Sequence, residues 1–321
     1  MTPHHPLRLP VSGFDGQPLA RMAVDLFIPK HWAAQPLLLV CLAGGGMNRH
    51  YFNLEAAGDA ASYSFAAAMC AAGYAVALVD HPGIGDSEGP IDGYELTAAV
   101  VAQRHAEVCQ QLLVGLQQGS LIDAVTAIPK LRSVGVGHSM GGLLTTYQQA
   151  LHANHVGLVL LGFSTQGLPA YLSPAVQARL ATDRAAVMAE HVAHARRMFG
   201  ADPYPRIQPS RDGKVLYAGA NAELPGLLAL KPCLAPLLPV PAYHAMLPGN
   251  VAEQAAHVRV PVFFGVGEND MTGPAERVGE AFLLAATQHL EVLPATGHNH
   301  FVFATRHRLF AAISQWLARA L

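Results

Sequence analysis

Five stretches of this chain are apolar at nearly every position and about one strand long: "PLLLVCLA" (36–43), "YAVALV" (74–79), "SVGVG" (133–137), "HVGLVLLGF" (155–163) and "VRVPVFFGVG" (258–267). A strand with one wet face alternates polar and apolar residues. A run with no polar face must be covered on both sides, as in the interior of a parallel sheet. Residues 64–73, 96–118 and 140–152 lie between these runs and read as helices, the first stopped by Gly73. Strand and helix in alternation predict a parallel sheet with helices on both faces. Residues 7–28 alternate around "FDGQ" and predict two strands joined by a turn. Past the fifth run, the pattern predicts a helix over 274–286, a short strand over 289–294 and a closing helix over 303–320.

Residues 165–256 break the alternation. Their first half, through 173–200, has helical composition. Their second half, 223–249, is apolar and rich in proline, which predicts no regular helix or central strand there. The segment reads as an insertion into the sheet domain with no sheet of its own.

Bulk properties narrow the function. Only 13% of residues are charged and the net charge is −2, so nothing favours nucleic acid or an anionic membrane surface. The longest apolar candidate for a membrane span, 65–79, has 15 residues and contains Gly73, where roughly 20 are needed. The N-terminal "MTPHHPLRLPVSG" has no apolar signal core, and His4 and His5 read as a loose terminus. Cys41, Cys70, Cys109 and Cys233 are widely spaced and read as free thiols, which fits a cytoplasmic location. "HVAH" (191–194) lacks an accompanying acid or cysteine set and reads as a helix face, so neither a metal nor an organic cofactor is expected.

The informative residues follow the strands: Gly44–Gly46, Asp80–Ser87, Ser139, Asp270 and His298. In open α/β sheets, functional groups gather at these carboxyl ends. "GHSMG" (137–141) fits G-x-S-x-G between a strand and a helix. A serine at that corner is exposed at the top of the sheet in a strained conformation, and Gly137 and Gly141 leave room where a Cβ would clash. The helix that starts after Ser139 presents unpaired N–H groups beside the hydroxyl. A serine hydroxyl is a weak nucleophile until a base takes its proton, and a carboxylate usually orients that base. Seventeen histidines make a single one uninformative, so position has to decide.

Together, "LAGGGMN" (42–48), "DHPGIGDS" (80–87), "GHSMGG" (137–142), "GVGEND" (265–270) and "TGHNHF" (296–301) resemble the α/β-hydrolase superfamily of serine esterases and lipases. The resemblance spans residues 36 to 320 apart from the insertion. It implies an α/β-hydrolase fold: a mostly parallel central sheet flanked by helices, with a helical or irregular cap inserted before the acid-bearing strand. Residues 1–164 and 257–321 would form the core and 165–256 the cap. It also implies roles. Ser139 would be the nucleophile, His298 the base and Asp270 the orienting acid, with His300 and Glu268 as nearby rivals for the last two. "DHPGIGDS" would shape the cleft, with Asp80 and Asp86 structural. Met140 and a glycine of the 43–46 loop, Gly45 or Gly46, would supply oxyanion N–H groups. Many relatives carry a histidine before that first glycine, where this chain has Ala43.

The reaction expected from this set is hydrolysis of a carboxylic ester through an acyl-enzyme. Thioester, amide and carbon–carbon hydrolysis or acyl transfer use the same groups. A non-catalytic ligand-binding protein of the same fold is the alternative from another class. The apolar half of the insertion suits either a lid over a small or medium-sized apolar acyl substrate or a homodimer contact.

Overall fold

The computed structural model describes residues 4–58, 62–123, 125–207 and 221–321. Part of the expected insertion, residues 208–220, therefore lies outside the described residues. Eight strands form one sheet: β1 (His4–Ser12), β2 (Leu19–Phe27), β3 (Leu37–Leu42), β4 (Ala75–Val79), β5 (Arg132–His138), β6 (Leu158–Leu161), β7 (Val262–Gly267) and β8 (Gln288–Leu293). Their order is β1-β2-β4-β3-β5-β6-β7-β8. The β1–β2 and β2–β4 pairs are antiparallel and the other five pairs are parallel, so β2 alone runs against the rest. His4 and His5 belong to β1 and are not a loose end. His4 pairs with Phe27, and the two rings stack at 5.2 Å.

The apolar runs are covered on both faces, as their composition requires. On one side Leu38, Val40 and Leu42 pack with Val101, Val108, Leu143 and Leu144, from α2 (Ala98–Gln118) and α3 (Met140–His152). On the other, Leu37, Leu39 and Cys41 pack with Phe65 and Met69 of α1 (Phe65–Ala71) and with Phe310 and Ile313 of a C-terminal helix, Arg306–Ala320. Successive β3 side chains thus enter opposite layers. Ser64 Oγ caps α1 by accepting from Ala67 N at 2.9 Å, and Gly119, at φ 69°, ends α2.

Between β6 and β7 lie α4 (Pro174–Thr182), α5 (Arg184–Ala189), α6 (His191–Phe199), α7 (Leu224–Leu230), α8 (Pro239–Met246) and α9 (Ala252–Ala256). The expectation of no regular helix in the proline-rich half is corrected by α7 and α8. Their prolines occupy the first turn, where an N–H has no helical partner to lose. A small apolar cluster of Val176, Val187, Ala195, Val240, Tyr243 and Leu247 unites this segment with Tyr94 of the sheet domain.

The helix expected over 274–286 does not form either. A single 3-10 turn, Ala275–Arg277, is followed by turns. Gly279 weakens any helix there, and a Cβ at that position would fall on the Gln288 side chain. Gln288 Nε2 instead donates to the Phe282 carbonyl at 2.9 Å. Phe282 is fully buried, its ring centroid 5.1 Å from that of Phe264 in an edge-on contact. The last helix, Arg306–Ala320, becomes α10 and is preceded by a 3-10 turn at His300–Val302.

Candidate active site

Ser139 stands between the last residue of β5 and the first of α3, at φ 55° and ψ −121°. A residue with a Cβ seldom adopts that backbone, and it persists only when its surroundings hold it. Here they do. Ser139 N donates to the Leu161 carbonyl of β6 at 2.8 Å, and the Ser139 carbonyl accepts from Gly142 N at the same distance. The flanking glycines are required by contact: a Cβ on Gly141 would strike the Leu42 and Ala43 carbonyls, and one on Gly137 would strike Gly141 and Gly142.

The structure brings Asp270 and His298 to this corner. Asp270 lies in the turn after β7, and His298 precedes the 3-10 turn after β8. His298 Nδ1 is 2.6 Å from Asp270 Oδ1, and Nε2 is 2.9 Å from Ser139 Oγ. A carboxylate only accepts, so Nδ1 carries the hydrogen and Nε2 can accept the hydroxyl proton. Both side chains are buried, His298 at 5% and Asp270 at 1% exposure. Burial alone would push the Asp270 carboxyl up. The charge of His298 and hydrogen bonds from His298 and His300 outweigh it and hold the carboxyl well below its ordinary range. Met271 N adds a bond of 2.7 Å to Oδ1.

The sequence rivals go elsewhere. His300 Nε2 lies 2.8 Å from Asp270 Oδ2, on the far side of the carboxylate from His298. Glu268 Oε2 accepts from Ala295 N at 2.8 Å and braces the loop before His298. Asp80 and Asp86 both bind Arg49, which also meets Asp25 at 2.8 Å. That cluster, buried apart from Asp86, ties the 3-10 turn Arg49–Phe52 to β2 and to the loop after β4.

The 43–46 loop sits beside the serine. Gly44, Gly45 and Met140 line a cavity together with Ser139 and His298. Gly46, at φ 77°, does not line it among the described residues. Its carbonyl accepts from Ala235 N at 2.8 Å and fastens the loop to the segment between β6 and β7. A second cavity meets Ser139 and His298 from the side of Gly162, Ser164 and Thr272.

Three residues escaped the sequence reading. His138, the first variable residue of "GHSMG", donates from Nε2 to the His298 carbonyl at 2.9 Å, with ring centroids 4.7 Å apart. Burial, then the neighbouring His298 and His300, push its pKa well down. Gly162, at φ 57°, leaves so little space that a Cβ would lie 3.1 Å from His298 Nδ1 and 3.2 Å from Asp270 Oδ2. His81 Nε2 donates to the Ala43 carbonyl at 2.9 Å. All three follow or end a strand, the one signal that could have singled them out among seventeen histidines and thirty glycines.

Comparison with known proteins places this geometry in context. The Alpha/beta hydrolase family profile matches residues 39–313. No curated protein sequence matches the chain. Among solved structures, a highly thermostable carboxyl esterase from Bacillus coagulans is similar at TM-score 0.63 and 18% identity, covering 98% of each chain. An esterase from Rhodococcus is similar at TM-score 0.58 and 19% identity over 100% of both chains. A thermophilic esterase from Thermogutta terrifontis is similar at 0.56 and 17%, over 98% of this chain and 99% of its own. With the matching profile covering most of its length and a sheet of this order and direction, the chain belongs to the alpha/beta hydrolase family.

Proposed function

We propose that the protein is a serine hydrolase that cleaves a carboxylic ester of a small or medium-sized apolar substrate. The observation that carries this reading is the unbroken line Ser139 Oγ, His298 Nε2, His298 Nδ1, Asp270 Oδ1, with links of 2.9 and 2.6 Å. Ser139 Oγ attacks the substrate carbonyl carbon as its proton passes to His298 Nε2. Asp270 keeps the imidazole in the required tautomer and stabilises the imidazolium. The carbonyl oxygen becomes an oxyanion, received by the N–H groups of Met140 and of Gly45 or Gly46. Collapse of the intermediate expels the alcohol, which takes the proton from His298. Water, activated by the same imidazole, attacks the acyl carbon, and His298 returns the proton to Ser139 as the acid leaves.

Residues 165–256 act in this reading as a cap. Leu168, Leu237, Ala242, Ala245 and Met246 from this segment wall the cavity that also holds Gly44 and Gly45 beside Ser139, with Met47. Walls of this kind suit an acyl chain or ring and offer few partners to a charged group. The fold neighbours named as esterases are consistent with ester cleavage.

Reaction with a fluorophosphonate tests the reading. Rapid labelling of Ser139 is expected, together with turnover of p-nitrophenyl esters that depends on acyl length. Ser139→Ala should fold and lose both. An inert wild-type serine would favour a ligand-binding protein of this fold. Thioester and amide counterparts in the same panel assign the bond cleaved.

A further inference from the structure

Asp270 is held by more than one imidazole. His298 Nδ1 occupies Oδ1 and His300 Nε2 occupies Oδ2, at 2.6 and 2.8 Å, so the carboxylate lies between two rings two residues apart in the chain. The His300 side chain is fully buried. Its ring centroid lies 5.8 Å from that of His138 at an interplanar angle of 85°, and His138 lies tilted against Tyr51 with centroids 4.6 Å apart. His300 Nδ1 is buried with no partner among the described residues. A ring hydrogen on Nδ1 would be stranded there, whereas one on Nε2 meets a carboxylate oxygen. The geometry therefore selects the Nε2–H tautomer. The 3-10 turn His300–Val302 and the neighbouring Phe301, stacked 4.9 Å from Tyr51, fix where the ring can point.

We propose that His300 is a positioning residue that locks the Asp270 carboxylate so that Oδ1 faces His298. The proposal rests on the reading of Ser139, His298 and Asp270 as a catalytic set. Without His300, Oδ2 would keep only the long bond from Gly267 N at 3.4 Å, and the carboxylate could turn about its last torsion. A second donor on Oδ2 stops that rotation. It also draws charge toward Oδ2 and so sets how strongly Asp270 holds the His298 imidazolium. His298, His138 and Tyr51 are the titratable groups packed around this pair, and the Met271 and Gly267 N–H groups complete the shell of Asp270.

The test compares wild type, His300→Phe and His300→Gln. Phenylalanine keeps a ring against His138 and removes the donor, whereas glutamine restores an N–H. For His300→Phe, kcat should fall about tenfold with KM nearly unchanged, as expected when a bond to a charged group is lost. The acid limb of kcat/KM should move up, because Asp270 then attracts the imidazolium more strongly. His300→Gln should recover most of both effects. The His298 imidazole is followed in parallel by 15N NMR titration in a Ser139→Ala background, which needs no turnover. A protein without esterase activity whose His298 midpoint still shifts in His300→Phe would separate failure of the hydrolase reading from failure of this one. The proposal is overturned if the three proteins share one midpoint, or if both variants lose activity equally. Should His300→Phe fail to fold, wild-type 15N shifts decide: an Nδ1–H tautomer of His300 overturns the proposal, and an Nε2–H tautomer supports it.

Discussion

His81 donates from Nε2 to the carbonyl of Ala43, 38 residues earlier in the chain, at 2.9 Å. Its Nδ1 lies 3.2 Å from His105 Nε2 on α2, which places two buried rings in series behind the 43–46 loop. Burial holds the His81 pKa down, opposed by the Ala43 carbonyl and the charge of Asp80, and His105 is lowered further. The loop that lacks a histidine of its own at position 43 is thus braced by one from the next strand end. His81→Phe should lower kcat about tenfold with little change in KM, if the loop receives the oxyanion. Denaturant unfolding should show a loss of about 1–3 kcal/mol from the unpaired Ala43 carbonyl and His105. A rate equal to wild type on a good ester substrate would separate His81 from the oxyanion loop.

Ser139 occupies a backbone region suited to glycine, at φ 55° and ψ −121°. Strain of this kind costs about 1–3 kcal/mol, offset in a glycine variant by its greater unfolded-state entropy. Ser139→Gly should therefore be inactive yet more stable than Ser139→Ala, by about 1 kcal/mol. Thermal melts of the two inactive variants measure it. Equal melting temperatures would mean that the corner is not strained.

Gly162 has positive φ and faces the His298–Asp270 pair. Gly162→Ala forces a Cβ against both side chains, so the bond between them lengthens. Activity should fall at least tenfold, out of proportion to a stability loss of about 1–2 kcal/mol. Fluorophosphonate labelling rates alongside urea midpoints would reveal whether the two effects separate.

Acid should destabilise the fold before carboxylates titrate. His81, His105 and His138 all have pKa values depressed first by burial. Burial brings His155 down to about 3 and His244 to about 4, from an ordinary 6.5. These rings stay neutral in the fold while the unfolded chain takes up protons below pH 6.5. Their contribution is therefore fully present above that pH and is lost as pH falls toward each folded value. Each contributes a slope of up to about 1.4 kcal/mol per pH unit within its window. Urea unfolding between pH 7 and 5 should show several protons bound on unfolding. His155→Gln should remove one imidazole's share, since the wild-type Nε2 is buried with no partner among the described residues. A flat profile over that range would contradict the assignment of these rings as buried and neutral.

The sheet was readable from the chain because burial on both faces leaves a direct mark: a strand such as Leu37–Leu42 can carry no polar residue on either side. The Ser139 corner was readable for a related reason, since close backbone packing admits only hydrogen at positions 137 and 141. Local composition misled where a single contact outweighs propensity. Gln288 and Gly279 leave 274–286 without its helix, and prolines seated in first turns allow α7 and α8 to form. Side-chain roles around the site were decided later still. In sequence, His298 and His300 are two histidines of one short motif, and only the resemblance, through the glycine directly before His298, favours it as the base. Only the approach of β7 to β8 and the turn after His298 direct one ring to Ser139 and the other to the far oxygen of Asp270. Composition records whether a residue is buried, because transfer from water acts on each side chain separately. Hydrogen bonds between groups far apart in the chain depend on distances and directions that exist only once the layers have packed.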